Sequence, residues 1–337
     1  SDLDASVLSG FVKKLFEAAP TAHPGLARVS GDRNFRKCSM NELPDRVFPL
    51  PFIWRGKRLF SVRLRVAVRE AALPEVLTGQ AAQALTELPV PPGADGLLLR
   101  CVVDPGWRTH TLRDNSVAFV LSRDVWHYLA WTGRYEDFLE GRYSAKTRES
   151  YARDEARFLE HSGQALDLRE YREPGQVGEF IGHLAELRGR GALFGRPVEA
   201  AELLAAAQRG QLRAFLLFAH GEPVAGLCLT AVGEVLHYLC SAERDDFRPW
   251  SAGTVLHLQA IRRVFGEPGF HYMDFRPGEC EVKRQFANGA LRGAAVLSLR
   301  RTLRNRLLLR LYGFLQGSAR SPGAQPAAPD EVRELLI

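Results

Sequence analysis

The chain is poor in sulfur, with five cysteines and two methionines among 337 residues. Cys38, Cys101, Cys228, Cys240 and Cys280 are odd in number, scattered and never spaced as Cys-x-x-Cys. That pattern argues against a disulfide framework and a structural zinc site, so no metal is expected. Long apolar runs are missing as well, and none approaches the ~20 residues a helix needs to cross a bilayer. The first residues, Ser1-Asp-Leu-Asp, offer neither a basic stretch nor an apolar one. A secretory signal is therefore not expected, and a reducing cytoplasm is the expected compartment. Acid is missing locally: no Asp or Glu falls between Val282 and Pro329. Lys283, Arg284, Arg292, Arg300, Arg301, Arg304, Arg306, Arg310 and Arg320 all lie in that stretch. With a net charge of +6 overall, the rest of the chain is slightly acidic. A basic surface of this kind suits cofactor phosphates, an anionic substrate, RNA or an anionic membrane face, and equally a solvated helix with paired arginines.

What remains is ordinary globular material, long enough for two domains. Asp4 to Ala19 reads as a helix. Val47 to Trp54 and Leu59 to Val66 read as strands joined by Arg-Gly-Lys-Arg. A helix over Leu73–Leu88, a strand over Leu97–Val103 and a loop over Trp107–Val117 follow. Helical pattern covers Tyr135 to His161, with Ser144 as a cap and Gly163 as a stop. A strand at Leu166–Tyr171 and helices at Val177–Arg188 and Pro197–Gln208 precede the most informative stretch, Leu212 to Phe286.

There, three strands form a meander closed by a Gly-Glu-Pro turn and a Gly-Glu turn. The third strand ends near Ser241, and a loop leads to a helix opening Ser251-Ala-Gly-Thr. Unpaired N–H groups at such a junction, beside the positive end of a helix dipole, make a ready site for a pyrophosphate or carboxylate. A short strand, Met273-Asp-Phe, follows, then a helix beyond Lys283, a strand at Ala294–Leu299 and a basic helix at Thr302–Leu315. Gly317 to Pro329 has the composition of a disordered tail. In the basic helix the leucines gather on one side, which Arg304 interrupts, so peripheral membrane contact is only weakly indicated.

This succession resembles the acyltransferase fold of the GNAT superfamily, and within it the bacterial acetyltransferases associated with cellulose and exopolysaccharide biosynthesis, relatives of the FemABX peptidyltransferases. The pieces that carry the resemblance cover about half of the chain. They are Lys146-Thr-Arg-Glu-Ser-Tyr-Ala-Arg-Asp-Glu-Ala-Arg-Phe, His220-Gly-Glu-Pro-Val-Ala-Gly, Leu236 to Phe265, and Asp274-Phe-Arg-Pro-Gly-Glu-Cys-Glu-Val-Lys-Arg-Gln-Phe, the last being the most specific. The resemblance implies an α/β (α+β) fold with a mixed central sheet flanked by helices. By analogy it also implies two tandem GNAT-like halves: a degenerate first half at 1–140, an acyltransferase domain at 141–316 and a tail at 317–337.

It further implies direct attack of an amine on a thioester, with acyl-CoA (acetyl or longer) as co-substrate. N–H groups of Leu239, Cys240 and Ser241 would then serve as oxyanion donors. Arg248 and the turn Ser251, Ala252, Gly253 and Thr254 would receive phosphates. Asp274 and Glu279 are the candidate carboxylates for the base or for the substrate ammonium, Tyr238 or Tyr272 the candidate acid, and Lys283 a substrate-orienting cation. Each has a plainer structural account. Asp274 and Lys283 are as readily a salt bridge, and Cys240 and Cys280 are by default inert. His237 and His271, on strands, read first as neutral hydrogen-bonded core histidines. Arg148, Arg153 and Arg157 line either an anionic substrate or an exposed salt-bridged face.

One departure stands out: in Arg248-Pro-Trp-Ser-Ala-Gly-Thr, Ser251 takes the place of the first glycine of the GNAT pyrophosphate loop. Three functions therefore remain open. The first is an N-acyltransferase using acyl-CoA and an amine of a sugar or small metabolite. The second is an aminoacyl-tRNA-dependent, Fem-like transferase that forms an amide bond. The third is a non-catalytic GNAT-fold scaffold, in which side chains such as Trp250 would fill the cleft.

Overall fold

The computed structural model describes residues 41–54, 57–79, 88–107, 110–112, 115–163 and 166–318. The helix expected over 4–19 and the tail expected from 319 onward lie outside the described residues, as do residues 80–87 of the helix expected over 73–88.

Along the chain come β1 (Asn41–Trp54), β2 (Lys57–Glu70), α1 (Leu73–Leu77), β3 (Gly96–Val103), β4 (His110–Leu112) and β5 (Ser116–Ala130). Then follow α2 (Tyr135–Arg142), α3 (Ala145–Ser162), β6 (Asp167–Tyr171), α4 (Val177–Arg190), β7 (Gly191–Gly195), α5 (Ala200–Gln208), β8 (Leu212–Ala219), β9 (Glu222–Val232) and β10 (Val235–Arg244). The last elements are α6 (Ala252–Phe265), β11 (Tyr272–Pro277), α7 (Glu281–Phe286), β12 (Gly289–Arg300) and α8 (Leu303–Ser318). Helices and strands combine in a mixed α/β fold, with a large mixed sheet flanked by helices.

Two compact units divide the chain, one of Ser1–Val125 with Leu291–Ile337 and the other of Trp126–Ala290. In the first, β1 and β2 form an antiparallel hairpin, β2 runs parallel to β3, and β12 pairs antiparallel with β3. Alternation in β1 turns Phe48, Leu50 and Phe52 inward, where they meet Leu308, Leu309, Tyr312 and Leu315 of α8. Tyr312 sits edge-on to both Phe52 and Phe119, 5.6 and 5.2 Å between centroids. Most of the apolar side of the basic helix is thus spent on packing, although Leu303, Leu307 and Phe314 are exposed. A break at 140, with everything up to 316 in one later domain, differs from this division. Pairing of β12 with β3 draws the chain's end back into the first unit.

In the second unit β8, β9 and β10 form the meander, β6 flanks β8, and α6 crosses over so that β11 lies parallel to β10. The end of β5 lines the other edge of β11. One face of this sheet carries Leu236, Tyr238, Met273 and Phe275 against Val255, Leu256 and Ile261 of α6. The opposite face carries Ala214, Leu216 and Cys228 against Phe180, Leu184 and Leu187 of α4 and Leu203 of α5. Burying each such side chain contributes about 1.5–3 kcal/mol, which holds both helical layers to the strands. Ser144 caps α3 by accepting from Thr147 N–H at 3.2 Å, and Gly163 ends it in the left-handed conformation.

Two strands differ from the expected pattern. β4 and the start of β5 occupy part of the loop expected over 107–117. β7 lies between the helices expected at 177–188 and 197–208. Its terminal glycines allow close backbone approach: a Cβ at Gly191 would fall 1.9 Å from the Glu243 carbonyl oxygen, and one at Gly195 2.3 Å from that of Leu239.

Candidate active site

The parallel pairing of β10 with β11 is short: Val235, Leu236 and His237 face Tyr272, Met273 and Asp274. Beyond that rung the two strands part, and from Cys240 to Arg244 the same edge of β10 is taken by β7, running antiparallel. A bulge between Tyr238 and Cys240 marks the fork.

His237 and Asp274 form the final rung. Nδ1 of His237 lies 3.1 Å from Oδ2 of Asp274. Asp274 is 1% exposed, and its Oδ1 accepts from the indole Nε1–H of Trp126 at 2.5 Å and from the backbone N–H of Arg276 at 2.7 Å. The Arg276 guanidinium stands 3.6 Å from Oδ2. Burial pushes the carboxyl's pKa up, but the His237 hydrogen bond, the Arg276 and His237 charges and the Trp126 hydrogen bond outweigh it and leave it lowered to about 2. Asp274 is therefore an anion at neutral pH that accepts from every partner. It fixes His237 as the Nδ1–H tautomer, which leaves the Nε2 lone pair on a ring whose side chain is 15% exposed. A carboxylate–imidazole pair of this kind is equipped to take up a proton.

Arg276 adopts φ +64°, left-handed backbone that a non-glycine residue rarely holds. Lys283 helps to hold it: Nζ donates to the carbonyl oxygens of Arg276, Pro277 and Gly278, each at 3.1 Å. This expected substrate-orienting cation thus braces the turn after β11. Glu279 stands apart from Asp274, with a carboxylate oxygen 3.1 Å from His127 Nε2 and the other 3.8 Å from Arg284. His127 follows Trp126 in β5, so the two point to opposite faces of the strand. Tyr238, next to His237 in β10, likewise points the other way. It is buried in the α6 core, exchanges a 2.7 Å hydrogen bond with Ser241 Oγ, and burial raises its pKa. Asp274 meets His237 rather than Glu279, Tyr238 or the ammonium of Lys283.

The turn before α6 has its own occupant. Ser251 adopts φ +54°, Ala252 is buried, and the Ser251 side chain makes no capping hydrogen bond. The N–H of Gly253 donates instead to Oε1 of Glu243 at 2.8 Å. Burial raises the Glu243 carboxyl's pKa, the Gly253 N–H and Arg248 pull it down, and Asp245 adds to the rise; the net shift is upward. Arg248 pairs with Asp245 at 3.1 Å, both exposed. Thr254 follows in the first turn of α6. Between Cys240 and Glu243 both edges of β10 are in ladders, with β9 and with β7, and the Leu239 carbonyl accepts from Arg196 N–H at 3.1 Å. These residues as placed do not fit a coenzyme A pyrophosphate and its extended arm: a carboxylate holds the N–H at the turn, and a strand lies along the edge the arm would follow. Trp250 stacks on His161 at 4.0 Å, under the Arg157 guanidinium.

From the sequence alone His237 reads first as a core histidine, and Trp126 and Glu243 do not stand out. Alternation along β10 carries the signal for His237, because it separates that residue from the core-facing Leu236 and Tyr238. Glu243 was legible as a carboxylate at the end of a strand that leads into a capless helix.

Residues 145–284 match the family described as acetyltransferase (GNAT) domain. No curated protein matches the chain. Similar solved structures include FemX, at 9% identity and TM-score 0.46 over 80% of this chain and 90% of that one. L-PGS from Bacillus licheniformis is similar at 12% identity and TM-score 0.41, over 75% and 86%. A GCN5-related N-acetyltransferase from Kribbella flavida is similar at 14% identity and TM-score 0.36, over 78% and 89%. The fork and the turn before α6 both fall inside the segment that matches the acetyltransferase (GNAT) domain, and that match supports an N-acyltransferase.

Proposed function

We propose that the protein transfers an acyl group from an activated donor to an amine of a sugar or small metabolite, at the fork of β10 and β11, with His237 as the base. The observation that carries this is the buried, ionised Asp274 holding the Nδ1–H of His237. The acceptor ammonium gives a proton to Nε2 of His237. The amine nitrogen then attacks the donor's carbonyl carbon and the new C–N bond forms; the bond from that carbon to the leaving sulfur or oxygen breaks, and the nitrogen's second proton passes to that leaving group. Asp274 stabilises the imidazolium without taking the proton itself. Arg276 and Lys283 act by holding the turn that supports Asp274. Stacking of Trp250 on His161 supports an enzyme over a scaffold in which that side chain fills the cleft.

Acyl-CoA is the donor the family resemblance suggests, and with it the cellulose- and exopolysaccharide-associated branch, a cytoplasmic setting and a degenerate GNAT-like first half. Glu243 at Gly253 favours a second reading, an aminoacyl-tRNA ester as donor, because that donor does not need the N-terminus of α6. Among the described residues no helix is long and apolar enough to cross a membrane.

The test is amide formation, followed by mass spectrometry, from a panel of amines with acyl-CoAs in one arm and charged tRNA in the other. His237→Gln is expected to lower the rate by about 10²–10⁴-fold, the usual contribution of a positioned base. Equal rates in wild type and variant would sink the assignment.

A further inference from the structure

An acyl donor carried on coenzyme A needs a seat for its diphosphate, and in this fold the turn before α6 is where the resemblance puts one. Taking amide formation at the fork as given, we infer that Glu243 is a specificity-determining residue that keeps the diphosphate of a coenzyme A donor out of this turn.

The α6 helix begins with unpaired first-turn N–H groups, no acidic residue in its own first turn and no side-chain cap from Ser251. An anion is called for there. The chain provides its own. Glu243 reaches across from β10, ten residues upstream, and its Oε1 takes the Gly253 N–H at 2.8 Å. Residue 253 has no side chain, and that is what allows the approach: a Cβ there would fall 2.8 Å from Oε2 and 3.0 Å from the carboxyl carbon. Glycine at this position thus accommodates the internal carboxylate as much as it would accommodate a phosphate.

The carboxylate is also held in place from behind. Glu243 lies opposite Ala225 of β9 and Ala192 of β7, so ladders on both sides fix its backbone. Arg248, the cation expected to meet phosphate, pairs with Asp245 at 3.1 Å. A diphosphate entering the turn would have to displace Glu243 and then remain beside its charge, since the backbone that carries it cannot move without unzipping β7. Closure by β7 along Cys240–Arg244 acts in the same sense on whatever extends from the phosphates toward the fork.

The measurement is equilibrium binding of free coenzyme A to the full chain, wild type, Glu243→Gln and Glu243→Ala, with the Gly253 amide resonance recorded in parallel. The wild type is expected to bind weakly and without moving the Gly253 amide. Glu243→Ala should bind about tenfold tighter, with the Gly253 amide shifting on titration, and Glu243→Gln should fall between them. Wild type binding coenzyme A as tightly as Glu243→Ala, with the Gly253 amide shifted, would overturn the inference; so would no gain in either variant. Neither result bears on whether an amide is made at the fork, which the His237→Gln comparison decides independently.

Discussion

The indole N–H of Trp126, in β5, donates to Oδ1 of Asp274 in β11 across 148 positions of sequence, at 2.5 Å in a fully buried setting. That contact decides what Asp274 can be. With Oδ1 held by Trp126 and the Arg276 N–H, and Oδ2 facing His237, the carboxylate has no direction left in which to meet a substrate. It is an orienting anion, and the proton acceptor is the imidazole it holds.

Trp126→Phe keeps the ring but removes one of the donors to Asp274. The expected result is a loss of about 1–3 kcal/mol of stability, the size of a hydrogen bond to a buried charge, and an upward move of the Asp274 pKa. Denaturant unfolding gives the first, and titration of the carboxyl carbon by NMR gives the second. An unchanged Asp274 titration would show that Trp126 merely fills space.

Acid should weaken the fold in two steps. His257, buried in α6, donates through Nδ1 to the Gly253 carbonyl, and burial lowers its pKa to about 4 although that hydrogen bond opposes the shift. Between about 6.5 and 4 the unfolded chain takes a proton that folded His257 refuses, so stability falls there by up to about 3 kcal/mol. Asp274, ionised down to about 2 when folded, takes a further 2–3 kcal/mol or so as pH drops from about 4 toward 2. Unfolding free energy measured against pH for wild type and His257→Phe checks the first step: the variant's curve should be flatter between pH 6.5 and 4. A parallel pair of curves would refute it.

Lys283→Met leaves the carbonyls of Arg276, Pro277 and Gly278 without the donor they share. A cost of about 1–3 kcal/mol is expected, together with loss of the left-handed Arg276 and hence of the N–H that fixes Asp274. If Lys283 instead served the substrate alone, unfolding would not change and only activity would fall.

Gly195→Ala places a methyl group against the Leu239 carbonyl and asks alanine to hold φ +93°. Detachment of β7 from β10 is expected, read as rapid hydrogen exchange over 191–195 and 240–244 with the α6 core still protected. Continued protection of both segments would contradict the tight β7–β10 contact.

Much of this was legible in the sequence because it is local. Period-two alternation marked β2, the Gly-Glu-Pro and Gly-Glu turns marked the meander, Ser144 and Gly163 bounded α3, and the Asp-Phe strand announced β11. The remainder depends on long-range pairing. A histidine in a strand is more often a quiet core residue, and only the β10–β11 register sets His237 against a carboxylate 37 positions away. Gly-Ala-Leu-Phe-Gly is too short and too glycine-bound to declare itself as a strand until it meets the edge of β10. In β5 the run Val117 to Leu121 is buried throughout, so no alternation was there to see. The division into units followed β12, whose partner β3 lies almost two hundred residues earlier.

The central claim is that His237, held by Asp274, is the base for amide formation. Its most direct test is the pH dependence of amide formation from a responsive amine and donor, for wild type, His237→Gln and Asp274→Asn. The account predicts a loss of about 10²-fold or more in His237→Gln, with a pH profile different from that of the wild type. Asp274→Asn should retain less activity than wild type, because the imidazolium loses its counter-ion. A wild-type profile preserved in His237→Gln would contradict it.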